Sequence, residues 1–380
     1  MKRILRNFVI IVIIVGVLVA LPRVNVVKAE QGYKCKSALL MDYDTGKVLR
    51  AQNETERLQI ASMVKIMTLN LIFDEIEKGS LSTDDMISVS ENASSMGGSQ
   101  AFLDAGCSYQ ANELIKSIVV ASANDSCVAM AEHIAGSVEN FVAKMNDKAS
   151  KLGMNDTYFV NCTGLPAPNQ YCCAFDVAIM FRELISNERF FDYSKIWMFD
   201  FVHPSGRITQ LTNTNKLVRF YEGCDGGKTG FTSEALSCLA ATAKRGNTRF
   251  ISVVIGAADA KTRNAQVSTM LNEAFSGYET KQYVYKQNLA GKSEVIGGKE
   301  KFVDCYPSED YFVLTEKGEN KAVDVQFEFW QVLAPIKKGD VVGKVIVLDG
   351  DTTKEIDLKA DIDVEKKSFL DIIDDIVDNW

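Results

Sequence analysis

The sequence predicts an α/β domain in which helices surround an antiparallel sheet, followed by a small all-β domain and a terminal amphipathic helix. Three observations predict it. Strand-like segments open and close the first two-thirds of the chain, with helical stretches between them. From about residue 277 apolar and polar residues alternate with period two. In the last stretch, residues 366–380, the apolar residues return at helical spacing.

Taken in order, Ser37 to Asp42 reads as a short strand, Asp44-Thr45-Gly46 as a turn, and Lys47 to Gln52 as the hairpin partner. Ser62 to Lys78 is a helical stretch closed by Gly79. Its apolar residues, among them Met63, Val64, Ile66, Leu69 and Ile72, cover nearly every direction around the axis, so the helix belongs in a core and Ser62 opens it. Further helices are expected at Ala111–Ala121, Asp125–Ala135, Val138–Leu152 and Ala174–Ser186. Leu236–Lys244 and Phe250–Gly256 read as neighbouring strands joined at Arg245-Gly246-Asn247, and Arg263–Phe275 returns to helix. In the second domain Val323, Val325, Phe327 and Phe329 alternate with Asp324, Gln326 and Glu328, and Ile356 to Val364 alternate likewise. Phe369, Ile373, Ile376 and Trp380 follow at spacings of four, three and four, with Asp371, Asp374, Asp375 and Asp378 on the opposite face. That helix is either an interfacial membrane anchor or a cap docked on protein.

The N-terminus reads as a secretory signal, residues 1–29: Lys2, Arg3 and Arg6 precede an apolar run from Phe8 to Leu21, and Val27-Lys28-Ala29 supplies a cleavage site. The remaining segments are residues 30–276, 277–365 and 366–380. The working part is therefore expected outside the cytoplasm. A formal net charge of -8 without Lys/Arg clusters argues against a nucleic-acid partner. Most of the nine cysteines lie in apolar stretches and read as small buried hydrophobes, with room for one or two disulfides. With two histidines and no Cys/His cluster, neither a metal site nor a cofactor is expected.

Three short patterns carry the chemistry: Ser62-Met63-Val64-Lys65 at the start of the buried helix, Ser122-Ala123-Asn124 between two helices, and Lys228-Thr229-Gly230 leading into a strand. Residues three apart on a helix share a face, so the Ser62 hydroxyl and the Lys65 amine can meet. A serine hydroxyl needs a base to become a nucleophile. Lys65 can serve if burial and the like charge of Lys228 lower its pKa. Ser122 can relay a proton to the leaving group, and Asn124 can hold a substrate amide. Gly230 admits a close approach to the strand edge, and Thr229 offers a hydroxyl to a terminal carboxylate.

These motifs, in this order, match the Ser-x-x-Lys, Ser-x-Asn and Lys-Thr-Gly set of penicillin-recognising serine enzymes. From Lys34 to about residue 365 the chain resembles a low-molecular-mass penicillin-binding protein of the D-alanyl-D-alanine carboxypeptidase family, in the form found in Gram-positive spore-formers. Thr45-Gly46-Lys47, Asn124-Asp125, Thr163-Gly164-Leu165 and Asn213-Thr214-Asn215-Lys216 belong to the same resemblance. It implies a penicillin-binding, serine β-lactamase-like domain, a β-sandwich-like second domain and an amphipathic membrane anchor. It further implies acylation of Ser62 with Lys65 as base, and Ser122, Asn124, Lys228 and Thr229 lining the cleft. The backbone N–H groups of Ser62 and Phe231 would form the oxyanion hole, and Arg263 would receive the substrate carboxylate. The implied partners are peptidoglycan stem peptides, β-lactam antibiotics and the membrane surface. The chain departs from the family pattern at Ile60, Ala123, Cys162 and the stretch Gln170-Tyr171-Cys172-Cys173. A serine β-lactamase would share the motifs but needs a deacylating base, and Tyr158-Phe159-Val160-Asn161 offers no glutamate. A non-catalytic cell-wall or β-lactam-sensing module would be free to lose Ser62, Lys65 and Lys228.

Overall fold

The chain is seen here in a computed structural model that describes residues 32–319, 321–350, 352–371 and 373. The expected signal segment and most of the expected terminal helix lie outside the described residues. The first domain begins with β1 (Ser37–Asp42) and β2 (Val48–Gln52), then a 3-10 turn at Ala61–Val64 and α1 (Lys65–Glu77). A small excursion follows: β3 (Met86–Ser88), α2 (Glu91–Ser94) and β4 (Ser108–Gln110). Next come α3 (Ala111–Ala121), α4 (Asn124–Ala135), α5 (Val138–Lys151), α6 (Ala174–Ser186) and α7 (Phe190–Ser194). A hairpin, β5 (Met198–Val202) and β6 (Ile208–Thr212), and α8 (Leu217–Phe220) lead to β7 (Cys224–Thr232), β8 (Leu236–Arg245), β9 (Thr248–Ala257) and α9 (Ala260–Gly277).

Five of these strands form one antiparallel sheet in the order β2-β1-β9-β8-β7, so both ends of the domain close it. Alternation sets the layers. Leu39, Met41, Ile251, Val253 and Ile255 face a large core shared with α1, α3, α4 and α6. Ala38, Leu40, Leu239, Ala241 and Val254 face a second core with Val267, Met270 and Leu271 of α9. A sheet apolar on both faces needs a layer on each, and α9 supplies the second.

One expected element is divided. The stretch from Ser62 does not start as α-helix: Ala61 sits at φ 48° and Ile60 at φ -115°, so residues 61–64 make a 3-10 turn before α1 begins at Lys65. Left-handed backbone at Ala61 is incompatible with the first turn of an α-helix.

The second domain comprises β10 (Tyr278–Val284), β11 (Gly291–Ile296), β12 (Phe302–Pro307), β13 (Tyr311–Glu316), β14 (Val323–Phe329), β15 (Gln331–Leu333), β16 (Val341–Asp349) and β17 (Thr352–Ala360). β10 and β13 form a two-stranded ribbon tied to the first domain: the Thr280 hydroxyl donates to Asp42 Oδ1 at 2.7 Å, and Leu314 joins the second core. The other six strands run β14-β16-β17-β12-β11-β15 around Val295, Val303, Val345, Val347, Ile356 and Leu358. The alternation that marks β14 does not bury its rings. Phe327 and Phe329 stack at 6.3 Å yet stay 45% and 39% exposed, because β14 is an end strand. All nine cysteines are free thiols, seven of them buried, so neither of the disulfides allowed by the count forms.

Candidate active site

Two backbone contacts build the site before any side chain does. The turn carrying Ser62 lies between Gly230 of β7 and Gly164 of the 163–165 loop. A Cβ on Gly230 would lie 2.6 Å from Ile60 O, 3.1 Å from Ala61 Cβ and 3.2 Å from Ser62 N. A Cβ on Gly164, at φ +81°, would strike the Ala61 carbonyl. Only glycine fits either position, and the nucleophile turn is held from both sides.

Lys65 lies one turn on from Ser62 and is wholly buried. Its Nζ is 3.0 Å from Ser62 Oγ, 2.6 Å from Asn124 Oδ1 and 2.5 Å from the Thr163 carbonyl. Burial pushes the amine below the ordinary lysine range. In the neutral form its two N–H groups match the Asn124 and Thr163 acceptors, which leaves its lone pair for the Ser62 hydroxyl.

The second and third motifs meet across the cleft. Ser122 follows α3 in the left-handed region, φ 65°, and accepts from Lys228 Nζ at 2.8 Å. Lys228 is itself buried, and its amine is pushed well below the ordinary value, first by burial and then by the charge of Lys65. Lys228 also donates to its neighbour's carbonyl, Thr229 O, at 3.1 Å, and Thr229 Oγ1 donates to Thr214 Oγ1 at 2.8 Å.

Asn124, the residue expected to hold a substrate amide, is tied into the protein. Both ends are engaged within the protein, Oδ1 by Lys65 and Nδ2 by the Gly97 carbonyl at 2.7 Å. Arg263 is hydrogen-bonded within the protein. It is 6% exposed in the first turn of α9, where its guanidinium donates to Asn264 Oδ1 and, at 3.5 Å, to Cys238 O. Cys238 is the register partner of Gly230, so Arg263 is one strand removed from the third motif. The Phe231 ring is 68% exposed just beyond Gly230.

Three contributors carried no assigned role in the sequence reading. Thr163 gives Lys65 an acceptor through its carbonyl, and Gly164 packs on the nucleophile turn. Asp125, fully buried, accepts from Ala101 N at 3.0 Å and Leu103 N at 3.1 Å, tying the 97–103 loop to α4. A backbone acceptor leaves no trace in residue type. The available signals were the adjacency of Asn124 and Asp125 and the Thr163-Gly164-Leu165 run.

No carboxylate is hydrogen-bonded to Ser62 or Lys65 among the described residues. His203 has its ring nitrogens engaged by Tyr109 Oη at 3.0 Å and Thr209 Oγ1 at 2.8 Å. Neither is turned to the serine. No group of three or more His, Cys, Asp or Glu residues that could hold a metal occurs among the described residues.

Comparison with known proteins agrees with this geometry. Residues 24–259 match the family described as D-alanyl-D-alanine carboxypeptidase, and residues 278–366 match the penicillin-binding protein 5 C-terminal domain. The D-alanyl-D-alanine carboxypeptidase DacF of Bacillus subtilis (strain 168) is 43% identical over 356 residues, covering 93% of this chain and 91% of the relative. DacA of Haemophilus influenzae is 33% identical over 336 residues, covering 86% of this chain and 84% of its own. Among solved structures, penicillin binding protein 5 from Haemophilus influenzae superposes with a TM-score of 0.70 at 30% identity, covering 89% of this chain and 99% of that one. Penicillin binding protein 6B from Escherichia coli gives 0.68 at 28% identity, with 87% and 96% covered.

Proposed function

Because the chain belongs to the D-alanyl-D-alanine carboxypeptidase family, we propose that Ser62 is the nucleophile with which it removes the terminal D-alanine of peptidoglycan pentapeptides. The observation that carries this is the Ser62–Lys65 contact of 3.0 Å, with the other two Lys65 hydrogen bonds already taken inside the protein.

The reaction then runs as acyl transfer. Neutral Lys65 takes the Ser62 proton as Oγ attacks the carbonyl between the two D-alanines. The N–H groups of Ser62 and Phe231 receive the developing oxyanion. Ser122, hydrogen-bonded to Lys228, relays that proton: it gives its own hydroxyl proton to the departing amine and takes in exchange the one Lys65 removed from Ser62. Water then hydrolyses the ester and restores Ser62. Asn124 acts mainly by fixing the Lys65 amine. Thr229 meets the substrate's carboxylate, with the charge of Arg263 one strand behind. A β-lactam takes the same route, and with no carboxylate hydrogen-bonded to Ser62 or Lys65 its ester is expected to hydrolyse slowly.

We assign the segments as a signal at 1–29, a catalytic domain at 30–276, a β domain at 277–365 and a membrane-associating segment at 366–380. The enzyme works on the outer side of the membrane. The direct test is to incubate the protein and its Ser62→Ala variant with a D-Ala-D-Ala peptide and with penicillin. D-alanine release and a penicilloyl adduct are expected from the parent only. An adduct on the folded variant would remove Ser62 from the role.

A further inference from the structure

The β domain carries an exposed apolar row where the chain leaves it. Leu333 of β15 lies in register with Ile296 of β11. Ile296 is in turn the diagonal neighbour of Phe302 of β12, since Glu294 pairs with Phe302 directly. Side chains in register share a face, and alternate residues along a strand return to it. All three therefore point outward, because the intervening Val295, Val303 and Val332 pack on the third core. Their exposures are 72%, 48% and 48%. Apolar residues on three adjacent strands are not a scatter of single exposed side chains.

The exit of the chain fixes where this row lies. Lys366 bridges Gly298, Lys367 N donates to Gly297 O at 2.9 Å, and Ala334 N donates to Ile296 O at 3.0 Å. Beyond that point Phe369 and Leu370 are 76% and 70% exposed. The row and the apolar residues of the departing segment are therefore contiguous.

The geometry points to a composite bilayer contact: Leu333, Ile296 and Phe302 enter the membrane interface together with the C-terminal segment. The inference rests on the proposed membrane association of residues 366–380 and adds the β domain as a second, independent contact. Charge selects the kind of surface. Lys299, Lys301, Lys366 and Lys367 are matched by Glu294, Glu300, Glu365 and Asp371, and one pair, Lys299–Glu365, closes at 2.7 Å. The contact is thus apolar rather than electrostatic, and it should hold on zwitterionic lipid. The Lys301 ammonium lies 5.5 Å from the Phe302 ring centre; at an interface its stem would cover apolar surface while the ammonium turns to water. No helix among the described residues is long and apolar enough to cross a membrane.

The test measures partitioning of the full chain, processed at its N-terminus, onto phosphatidylcholine vesicles by co-sedimentation. It compares the parent, Ile296→Gln/Leu333→Gln, a truncation after Lys367, and both changes together. The double substitution is expected to weaken binding about tenfold, from partial loss of two apolar side chains from the interface. The truncated chain should retain weak binding that the combined variant loses. If the double substitution binds like the parent, the row is not a contact, whatever the truncation does. If the truncation binds like the parent, the C-terminal segment is not the anchor, and a tenfold loss on substitution would then leave the row as the main contact. A parent that sediments as a dimer without lipid and becomes monomeric on substitution would assign the row to a second copy of the chain and overturn the inference. Both substituted positions are exposed, and unchanged thermal midpoints check that folding is intact.

Discussion

Gly230→Ala tests the claim that backbone packing, rather than side-chain identity alone, sets the reactivity of Ser62. The new methyl would lie 2.6 Å from the Ile60 carbonyl oxygen and 3.2 Å from Ser62 N. Opening the first contact even to 3.0 Å requires about 0.4 Å of movement, the difference between these values, and ordinary van der Waals distance requires more. The turn cannot retreat, because the Gly164 backbone backs the Ala61 carbonyl on its other side. The movement must therefore pass into Ser62 or into β7, which carries Lys228 and Thr229. Misplacement of reacting groups by about an ångström costs on the order of a hundredfold, so a fall of roughly tenfold to a hundredfold in the acylation rate is expected. Overpacking should add about 1–3 kcal/mol of destabilisation. The acylation rate is read by stopped flow with a fluorescent penicillin, and stability by urea midpoint. Gly277→Ala is the control, since its Cβ would meet nothing within 4 Å. Acylation of Gly230→Ala within about twofold of the parent would refute the reasoning.

Lys65→Arg should be nearly as damaging as Lys65→Ala, because arginine keeps the charge but cannot deprotonate; substantial penicillin labelling of the arginine variant would reduce Lys65 to an electrostatic role. The acid limb of kcat/KM against pH should fall below the ~10.4 of a free lysine, because burial lowers the Lys65 pKa. The sign follows from the base being the neutral form: activity is lost as pH drops through the lowered value. A limb near the free-lysine value would contradict it. Arg263→Ala should lower kcat/KM for a D-Ala-D-Ala peptide on the order of tenfold, and for its C-terminal amide far less. Equal losses would make Arg263 a structural residue, held by Asn264 and Cys238 O.

By itself the sequence determined the elements and the chemistry. Short apolar runs bounded by turns at Ser37–Asp42 and Leu236–Lys244, and apolar residues all round the stretch from Ser62, predict strands and a buried helix because burial is read from side-chain type and period. The Ser62/Lys65 pair was legible for the same reason: a spacing of three brings the two together across one turn, and the structure places them 3.0 Å apart. The partnering of Ser122 with Lys228, 106 positions apart, was not legible from spacing, since only the sheet and helices bring them to 2.8 Å. Nor did sequence show that Asn124 turns inward to Lys65, that the Thr163 carbonyl completes the amine's shell, or that Arg263 is buried behind β8. Each depends on backbone atoms or long-range packing, which residue type does not encode. The same holds for Ala61, whose left-handed backbone breaks the expected helix ahead of Lys65. Residue type supplied the reacting groups, and tertiary packing decided their distances, their burial and hence their protonation.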